Sequence, residues 1–252
     1  MIVSAPSLIE MKRAGHRISA LTAYDFPTAK LLDEAGIDLL LVGDSLGMVV
    51  LGMPDTTEVT LADIIHHTRP VARAAQRALV VADLPFGSYD SPEMAMESAR
   101  QLIEAGAKAV KLEGAHIAEI YALTRHGIPT IAHLGMLPQH VREEGGYKIK
   151  GKSEADAARL LEEALAVEKA GASAIVLELI VPDVARLISQ AVAIPTIGIG
   201  AGKECDGQIL VTHDLIGFFP WFTPKFATVR ADVAGQISQA ARDFLAALAE
   251  EK

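Results

Sequence analysis

Residues 38–45 read Asp-Leu-Leu-Leu-Val-Gly-Asp-Ser, a run of four apolar residues that ends in a glycine, an acid and a serine. Residues 78–83 repeat this pattern as Ala-Leu-Val-Val-Ala-Asp. Neither run alternates apolar with polar residues, and unbroken apolar runs of this length are typical of parallel strands that are covered on both faces. The two stretches therefore predict buried parallel strands, each of which ends in an acid.

Eight such candidate strands alternate with helical stretches along the chain. They are residues 18–25, 38–44, 78–85, 109–114, 128–135, 174–178, 194–201 and 207–212. The helices before three of them end alike, as Glu-Ala-Gly at 34–36 and 104–106 and Lys-Ala-Gly at 169–171, which indicates an internal βα repeat. A chain of 252 residues without a linker fits one α/β barrel, so we expect a single-domain (β/α)₈ TIM barrel over residues 1–252.

The composition excludes several classes of partner. The formal net charge is -9 and no cluster of Lys and Arg is present, so we expect neither nucleic acid nor an anionic membrane as a partner. The first twenty residues are interrupted by Glu10, Lys12, Arg13, His16 and Arg17, and no apolar run is long enough to span a membrane. Cys205 is the only cysteine and cannot form an internal disulfide. These features predict a cytoplasmic protein.

Polar residues close five of the predicted strands, at the end of the barrel where active sites of this fold lie. They are Asp44 with Ser45, Asp83, Lys111 with Glu113, His133, and Glu178. Side chains alternate along a strand, so Lys111 and Glu113 share one face and can both point into the barrel mouth.

Three acids, Asp44, Asp83 and Glu113, would then meet at one rim. Two bare carboxylates about 5 Å apart repel by ~3 kcal/mol at an effective dielectric of about 20, so we expect a cation among them. No His/Cys cluster selects zinc, and an all-oxygen site suits Mg²⁺. The alternative is that each acid only caps a strand or helix end. Three acids on successive strands, with Lys111 between them, favour the metal site.

Glu178 closes an apolar strand, so burial should raise its pKa and favour a general base. A salt bridge to a neighbouring lysine is its alternative. His133 could bind substrate or be a satisfied core histidine, and both interpretations stay open. Mg²⁺, a cation at Lys111 and a base at Glu178 together predict enolate chemistry on a 2-oxo acid.

Two glycine-bearing segments have open interpretations. Residues 141–152 form a long connection after the fifth strand and are either a lid or a mobile surface loop. Residues 198–202 read Gly-Ile-Gly-Ala-Gly and lie where barrels often bind phosphate, but they lack the spacing of a dinucleotide-binding motif, so we favour close backbone packing.

The chain resembles the ketopantoate hydroxymethyltransferases along nearly its whole length. The resemblance rests on motifs in one fixed order: LTAYD (21–25), VGDSLGM (42–48), ADLPF (82–86), VKLEG (110–114), HLG (133–135), PQ (138–139), GGYK (145–148), IGIGAG (197–202) and DGQILV (206–211). It implies a (β/α)₈ barrel that transfers a one-carbon unit from 5,10-methylenetetrahydrofolate to 3-methyl-2-oxobutanoate, giving 2-dehydropantoate. It also implies Mg²⁺ as the metal and a homo-oligomer, often a decamer.

The resemblance assigns a role to each site residue. Asp44 and Asp83 correspond to direct metal ligands, and Glu113 to an acid that binds the metal or orients its water. Ser45 and Lys111 correspond to substrate-binding residues, which with Asp44, Asp83 and His133 surround the 2-oxo acid. Glu178 corresponds to the catalytic proton acceptor.

The chain departs from the family pattern at two places. Residues 177–182 read Leu-Glu-Leu-Ile-Val-Pro, one residue longer than the family's Leu-Glu-x-Val-Pro, so the turn after Glu178 should differ. Residues 218–222 are unusually aromatic and predict either an oligomer interface or the path by which folate approaches the site.

Two competing functions stay open. One is a magnesium-dependent 2-oxo acid aldolase or lyase without folate, and the other is a non-catalytic metabolite-binding barrel.

Overall fold

The computed structural model describes residues 2–250 and places eight parallel strands in a closed barrel. The strands are neighbours in chain order and pair in parallel from the first to the eighth. They are β1 (Ile18–Thr22), β2 (Leu39–Val42), β3 (Leu79–Asp83), β4 (Ala109–Glu113), β5 (Thr130–Gly135), β6 (Ala174–Glu178), β7 (Thr196–Ile199) and β8 (Gly207–Leu210). The predicted barrel is confirmed, with a strand inside each predicted run.

Helices connect the first seven strands. In chain order the helices are α1 (Ala5–Arg13), α2 (Phe26–Glu34), α3 (Leu46–Val49), α4 (Leu61–Ala74), α5 (Pro92–Glu104), α6 (Ile117–Arg125), α7 (Val141–Glu144), α8 (Glu154–Lys169), α9 (Pro182–Ala191), α10 (Thr212–Leu215) and α11 (Val233–Glu250). Short 3₁₀ turns occupy Thr56–Glu58 and Pro138–His140. Residues 200–206, which join β7 to β8, contain no helix, so the seventh βα unit is shorter than the others.

The chain divides into two compact units between Ile209 and Leu210. The first contains almost all of the barrel, and the second contains α10 and α11. No residue of α11 is fully buried. The prediction of one domain over residues 1–252 stays a prediction, and residues 1, 251 and 252 lie outside the described residues.

Three helix ends explain the repeated Ala-Gly motif. Gly36, Gly106 and Gly171 have φ values of 92°, 113° and 98°, a left-handed conformation that favours glycine. In each case the next residue donates its N–H to the carbonyl five residues back, as Ile37 does to Leu32. This is the hydrogen-bond pattern of a Schellman motif, and it turns the chain directly into the following strand.

Strand residues separate into two apolar clusters. Inward-facing residues such as Leu39, Leu41, Val81 and Val176 fill the barrel interior. Their outward-facing neighbours, such as Leu40, pack under the helices. Both faces of the strands are therefore buried, which is the reason their sequences do not alternate. The inward positions become polar only at the carboxyl ends of the strands.

Candidate active site

The predicted polar residues meet at the carboxyl end of the barrel. Asp83, Lys111, Glu113, His133 and Glu178 occupy inward-facing positions at or near the ends of β3 to β6. The strand register pairs Asp83 with Lys111 and Glu113 with His133. Asp44 follows β2 after Gly43, and it is buried like the first four of these residues.

Asp44, Asp83 and Lys111 form one connected group. Asp83 Oδ2 accepts the backbone N–H of Asp44 at 3.0 Å, and Asp83 Oδ1 lies 2.7 Å from Lys111 Nζ. Packing around Gly43 is close, because a Cβ at this position would lie 3.1 Å from Ser45 Oγ and 3.4 Å from Asp83 Oδ2. The close approach of β2 to β3 therefore brings the two aspartates together.

Burial is the largest single influence on the pKa of each of these three groups. Burial, followed by the charge of Asp83, raises the pKa of Asp44 to about 7, although Lys111 and Gln139 act in the opposite direction. Burial also raises the pKa of Asp83 against the effect of Lys111. For Lys111, burial lowers the pKa, but the charges of Asp83, Glu113 and Asp44 outweigh it and raise the pKa. The lysine is thus a permanent cation among acids whose charge is incompletely balanced.

His133 lies between Glu113 and Glu178. Its Nδ1 is 3.5 Å from Glu113 Oε1, and its Nε2 is 3.4 Å from Glu178 Oε2. Both distances exceed those of well-formed hydrogen bonds. Burial, with the nearby charge of Lys111, lowers the pKa of His133 well below its usual value. The imidazole is therefore neutral near pH 7 and does not balance the charge of either glutamate.

The two glutamates beside His133 both resist ionisation. Burial, followed by the charge of Asp44, raises the pKa of Glu113 well above its usual value. Burial also raises the pKa of Glu178 to about 8, opposed by Lys111. The Glu178 side chain retains 13% of its accessibility, against 1% for Glu113. Glu178 is consequently the acid that combines a pKa near neutrality with access from the barrel mouth.

Ser45 belongs to a second hydrogen-bonded chain. Its Oγ lies 2.8 Å from the hydroxyl of the buried Tyr24. The carbonyl of Tyr24 lies 2.6 Å from His67 Nδ1, so His67 on α4 packs against the β1–α2 turn. Ser45 is partly exposed, which leaves it accessible at the mouth.

Gln139 and Tyr89 are site residues that the strand-end reasoning missed. Gln139 is buried on the 3₁₀ turn after β5, and its side chain donates to Asp44 Oδ2 at 2.8 Å. Its backbone N–H donates to Glu113 Oε2 at 3.0 Å. The Tyr89 hydroxyl donates to Gln139 Oε1 at 2.5 Å. Gln139 belongs to the Pro-Gln motif at 138–139, but a loop residue has no periodicity that predicts its contacts.

Residues 141–152 have a defined structure. They begin with α7, turn at Gly145 and Gly146 with φ of 69° and 108°, and pair at Lys150 with Ile180. Arg142 joins this segment to the β2–α4 connection, with 2.7 Å contacts to Asp55 and Glu58. The two interpretations of this segment, a lid and a mobile surface loop, both stay predictions.

The longer turn after Glu178 has an unusual backbone. Leu179 has a φ of 47° and is the only non-glycine residue with positive φ among residues 2–250. Gly135 packs against this turn, and a Cβ there would lie 2.2 Å from the Glu178 carbonyl oxygen. The turn therefore combines a left-handed Leu179 with a neighbouring strand that has no side chain at Gly135, and its difference from the family's turn stays a prediction.

The glycines at 198–202 pack closely against their neighbours. A Cβ at Gly198 would lie 3.0 Å from Cys205 Sγ, and one at Gly202 would lie 2.8 Å from a side-chain carbon of Pro182. These contacts support close backbone packing over a phosphate site. In the aromatic segment, Trp221 and Phe222 are exposed.

The chain is similar to a family of transferases. A family model described as ketopantoate hydroxymethyltransferase matches residues 3–252. A 3-methyl-2-oxobutanoate hydroxymethyltransferase of Thermoanaerobacter sp. (strain X514) is 53% identical over 235 residues, which is 92% of this chain and 86% of that relative. The enzyme of the same name from Ignicoccus hospitalis is 48% identical over 245 residues, 96% of this chain and 93% of that relative.

Solved structures with a similar fold are more distant. A phosphonopyruvate hydrolase in complex with oxalate and Mg²⁺ superimposes with a TM-score of 0.64 at 16% identity, over 84% of this chain and 81% of that one. A 2,3-dimethylmalate lyase gives 0.60 at 20% identity, over 99% and 89% of the two chains. At these identities the likeness shows the barrel fold alone.

The resemblance found in the motifs is therefore confirmed by the whole-chain family match and by relatives at about half identity. The chain belongs to the ketopantoate hydroxymethyltransferase family, transferases of pantothenate biosynthesis that act on small molecules.

Proposed function

We propose that this enzyme transfers a one-carbon unit from 5,10-methylenetetrahydrofolate to 3-methyl-2-oxobutanoate, giving 2-dehydropantoate and tetrahydrofolate. The observation that carries the proposal is the group of the buried Asp44, Asp83, Lys111 and Glu113 with the partly exposed Glu178 at one end of the barrel. The names of the relatives at 53% and 48% identity support the same substrate and product.

The residues present fit a divalent cation. Three buried carboxylates surround one lysine, and the pKa of Asp44 is raised to about 7, so a further positive charge would be stabilised there. The donors are all oxygens, which suits Mg²⁺, an ion that takes one or two carboxylates and completes its shell with water and substrate. Among residues 2–250, no three His, Cys, Asp or Glu side chains converge into a metal site by themselves. Asp44 and Asp83 would hold the ion, with Glu113 beside it.

The cation would supply Lewis acidity that polarises the 2-oxo group and acidifies the proton at C3. Lys111 and Ser45 would bind the substrate's carboxylate and oxo oxygens, and His133 would line the pocket as a neutral imidazole. Glu178 would remove the C3 proton. The enolate carbon would bond to the folate methylene carbon, the two bonds from that carbon to N5 and N10 would break, and water would supply the hydroxyl of the product and the proton that tetrahydrofolate carries away.

Deuterium exchange at C3 of the oxo acid tests the assignment of Glu178. Measured by NMR in D₂O with Mg²⁺ and without folate, exchange should fall about 10²- to 10⁴-fold in Glu178→Gln, the range that general bases contribute. Glu162→Gln, on the exposed face of α8, is the matched control and should exchange as the unaltered enzyme does. Near-normal exchange in Glu178→Gln would falsify this role.

The same assay separates the competing functions. Folate-dependent formation of 2-dehydropantoate supports the transferase. Exchange with no product on addition of 5,10-methylenetetrahydrofolate would instead favour an aldolase or lyase. Absence of magnesium-stimulated exchange in the unaltered enzyme would contradict the proposed chemistry altogether.

We also propose that the enzyme works as a cytoplasmic homo-oligomer. Large apolar side chains are exposed on the second unit, among them Trp221, Phe222, Phe244 and Leu245, and exposed apolar patches are typical of protein interfaces. None of the helices described by the structure is long and apolar enough to cross a membrane. Light scattering after gel filtration would give the number of subunits, including a decamer.

A further inference from the structure

Gln139 directly links the acid after β2 to the turn after β5. Its amide Nε2 donates to Asp44 Oδ2 at 2.8 Å and to the carbonyl of Leu84 at 3.0 Å. Both amide protons are therefore used, and one of the two Asp44 oxygens has a fixed donor. The residue is 2% exposed, so water does not replace these contacts.

The orientation of this amide is fixed by its partners. The Leu84 carbonyl can only accept, so the amide nitrogen must face it, and the amide oxygen must then face Tyr89. The Tyr89 hydroxyl donates to that oxygen at 2.5 Å, and its next acceptor, the Glu113 carbonyl, is 3.5 Å away. Tyr89 is itself buried and packs edge-on against His116, with ring centroids 5.2 Å apart. Both ends of the amide are thus held before any ligand arrives.

We propose that Gln139 is a positioning residue, which Tyr89 orients and which holds the carboxylate of Asp44 in the geometry that binds the cation. This inference rests on the proposed function. The Gln139 amide contacts only Oδ2 of Asp44. Loss of the amide leaves the backbone N–H of Ser45 as the remaining donor to Asp44 and leaves the Leu84 carbonyl without this donor.

Substitutions of the side chain isolate this role. The Gln139 backbone N–H, which donates to Glu113, is present in every variant at this position. Gln139→Leu removes the amide and keeps a buried side chain of similar length. Tyr89→Phe removes the hydroxyl and keeps the ring against His116. Gln190→Leu, on the exposed part of α9, is the matched control.

Cation affinity is the readout, measured with Mn²⁺ alone by electron paramagnetic resonance on folded protein. Gln139→Leu should weaken Mn²⁺ binding about 10- to 100-fold, the usual effect of removing a partner that orients a metal ligand. Tyr89→Phe should weaken it about 2- to 10-fold, the equivalent of one neutral hydrogen bond. The double variant should match Gln139→Leu, because Tyr89 acts through the amide. Gln190→Leu should bind as the unaltered enzyme does.

Other outcomes overturn the inference. Binding of Mn²⁺ by Gln139→Leu within twofold of the unaltered enzyme removes the positioning role, and additive effects of the two substitutions remove the part assigned to Tyr89. If Gln139→Leu does not fold, Gln139→Met and Tyr89→Phe give the same comparison. The unaltered enzyme is assayed for magnesium-stimulated C3 exchange in parallel. A failure there counts against the proposed function, whereas normal exchange with unchanged Mn²⁺ affinity in the variants counts against Gln139 alone.

Discussion

Asp83 Oδ1 and Lys111 Nζ lie 2.7 Å apart on neighbouring strands, with side chains only 1% and 6% exposed. Removing one member of a buried ion pair leaves the other charge without compensation, which costs about 3–5 kcal/mol. We therefore expect Lys111→Met to lower the free energy of unfolding by about that amount at pH 8.

Urea denaturation followed by circular dichroism would measure this difference. Lys108→Met, at an exposed position just before the same strand, is the control and should change the stability by less than about 0.5 kcal/mol. Equal stability of the two variants would mean that Asp83 and Lys111 do not form a structural pair.

Proton removal by Glu178 should depend on pH in a definite direction. Burial raises the pKa of this carboxyl to about 8, and only the deprotonated form can accept a proton. The rate of C3 exchange should therefore rise from pH 6 upwards and level off above the pKa of Glu178.

A bound cation favours the carboxylate form, so the midpoint with Mg²⁺ should lie at or below about 8. Exchange rates measured from pH 5.5 to 9.5 at saturating Mg²⁺ test this expectation. A rate that falls with rising pH over this range would assign the proton transfer to another group.

The turn after Glu178 should be intolerant of a side chain at Gly135. A Cβ there would lie 2.2 Å from the Glu178 carbonyl oxygen, and the φ of 102° disfavours any L residue. Gly135→Ala should therefore displace the backbone of the base, lower the exchange rate at least about tenfold and destabilise the fold.

Gly127→Ala is the control that separates the steric clash at the added Cβ from backbone strain. Gly127 also has a positive φ, 76°, but nothing lies within 4 Å of a Cβ built there. This variant should lose only about 1–2 kcal/mol from backbone strain and keep its exchange rate. Thermal unfolding and the exchange assay together distinguish the clash from the strain, and parallel losses in both variants would argue against a clash at Gly135.

The contact of Arg142 with Asp55 and Glu58 should support substrate binding if residues 141–152 act as a lid. Arg142→Gln releases the segment from the β2–α4 connection. We expect KM for the oxo acid to rise several-fold, with little change in Tm because the contact is on the surface. Arg186→Gln, which breaks an exposed pair with Asp183 on α9, should leave KM unchanged. An unchanged KM in Arg142→Gln would exclude the lid.

Sequence patterns predicted the barrel and much of its site because both depend on periodicity. The apolar run before Asp44 and the inward register of Lys111 and Glu113 follow from strand geometry alone. Gly36, Gly106 and Gly171 end helices as the repeated motif indicated.

Residues outside the strands were not accessible to this reasoning. Gln139 and Tyr89 lie in separate loops, and their contact depends on how those loops pack in three dimensions. The left-handed conformation of Leu179 is equally hidden, because leucine rarely adopts it and local sequence does not signal it. The missing helix between β7 and β8 reflects the short connection of residues 200–206.

The crowding of Asp44, Asp83 and Glu113 around Lys111 also means that the barrel carries a stability–activity trade-off. Burial is the main cause that raises the pKa of all three acids, so without a bound cation their ionisation costs more free energy in the folded state than in the unfolded chain. The apolar packing of the two clusters offsets this unfavourable free energy. Replacing Asp44 with a neutral residue should raise the Tm of the protein that a chelator keeps free of metal, and it should abolish the activity of the enzyme. Selection for thermal stability alone would therefore favour loss of the site.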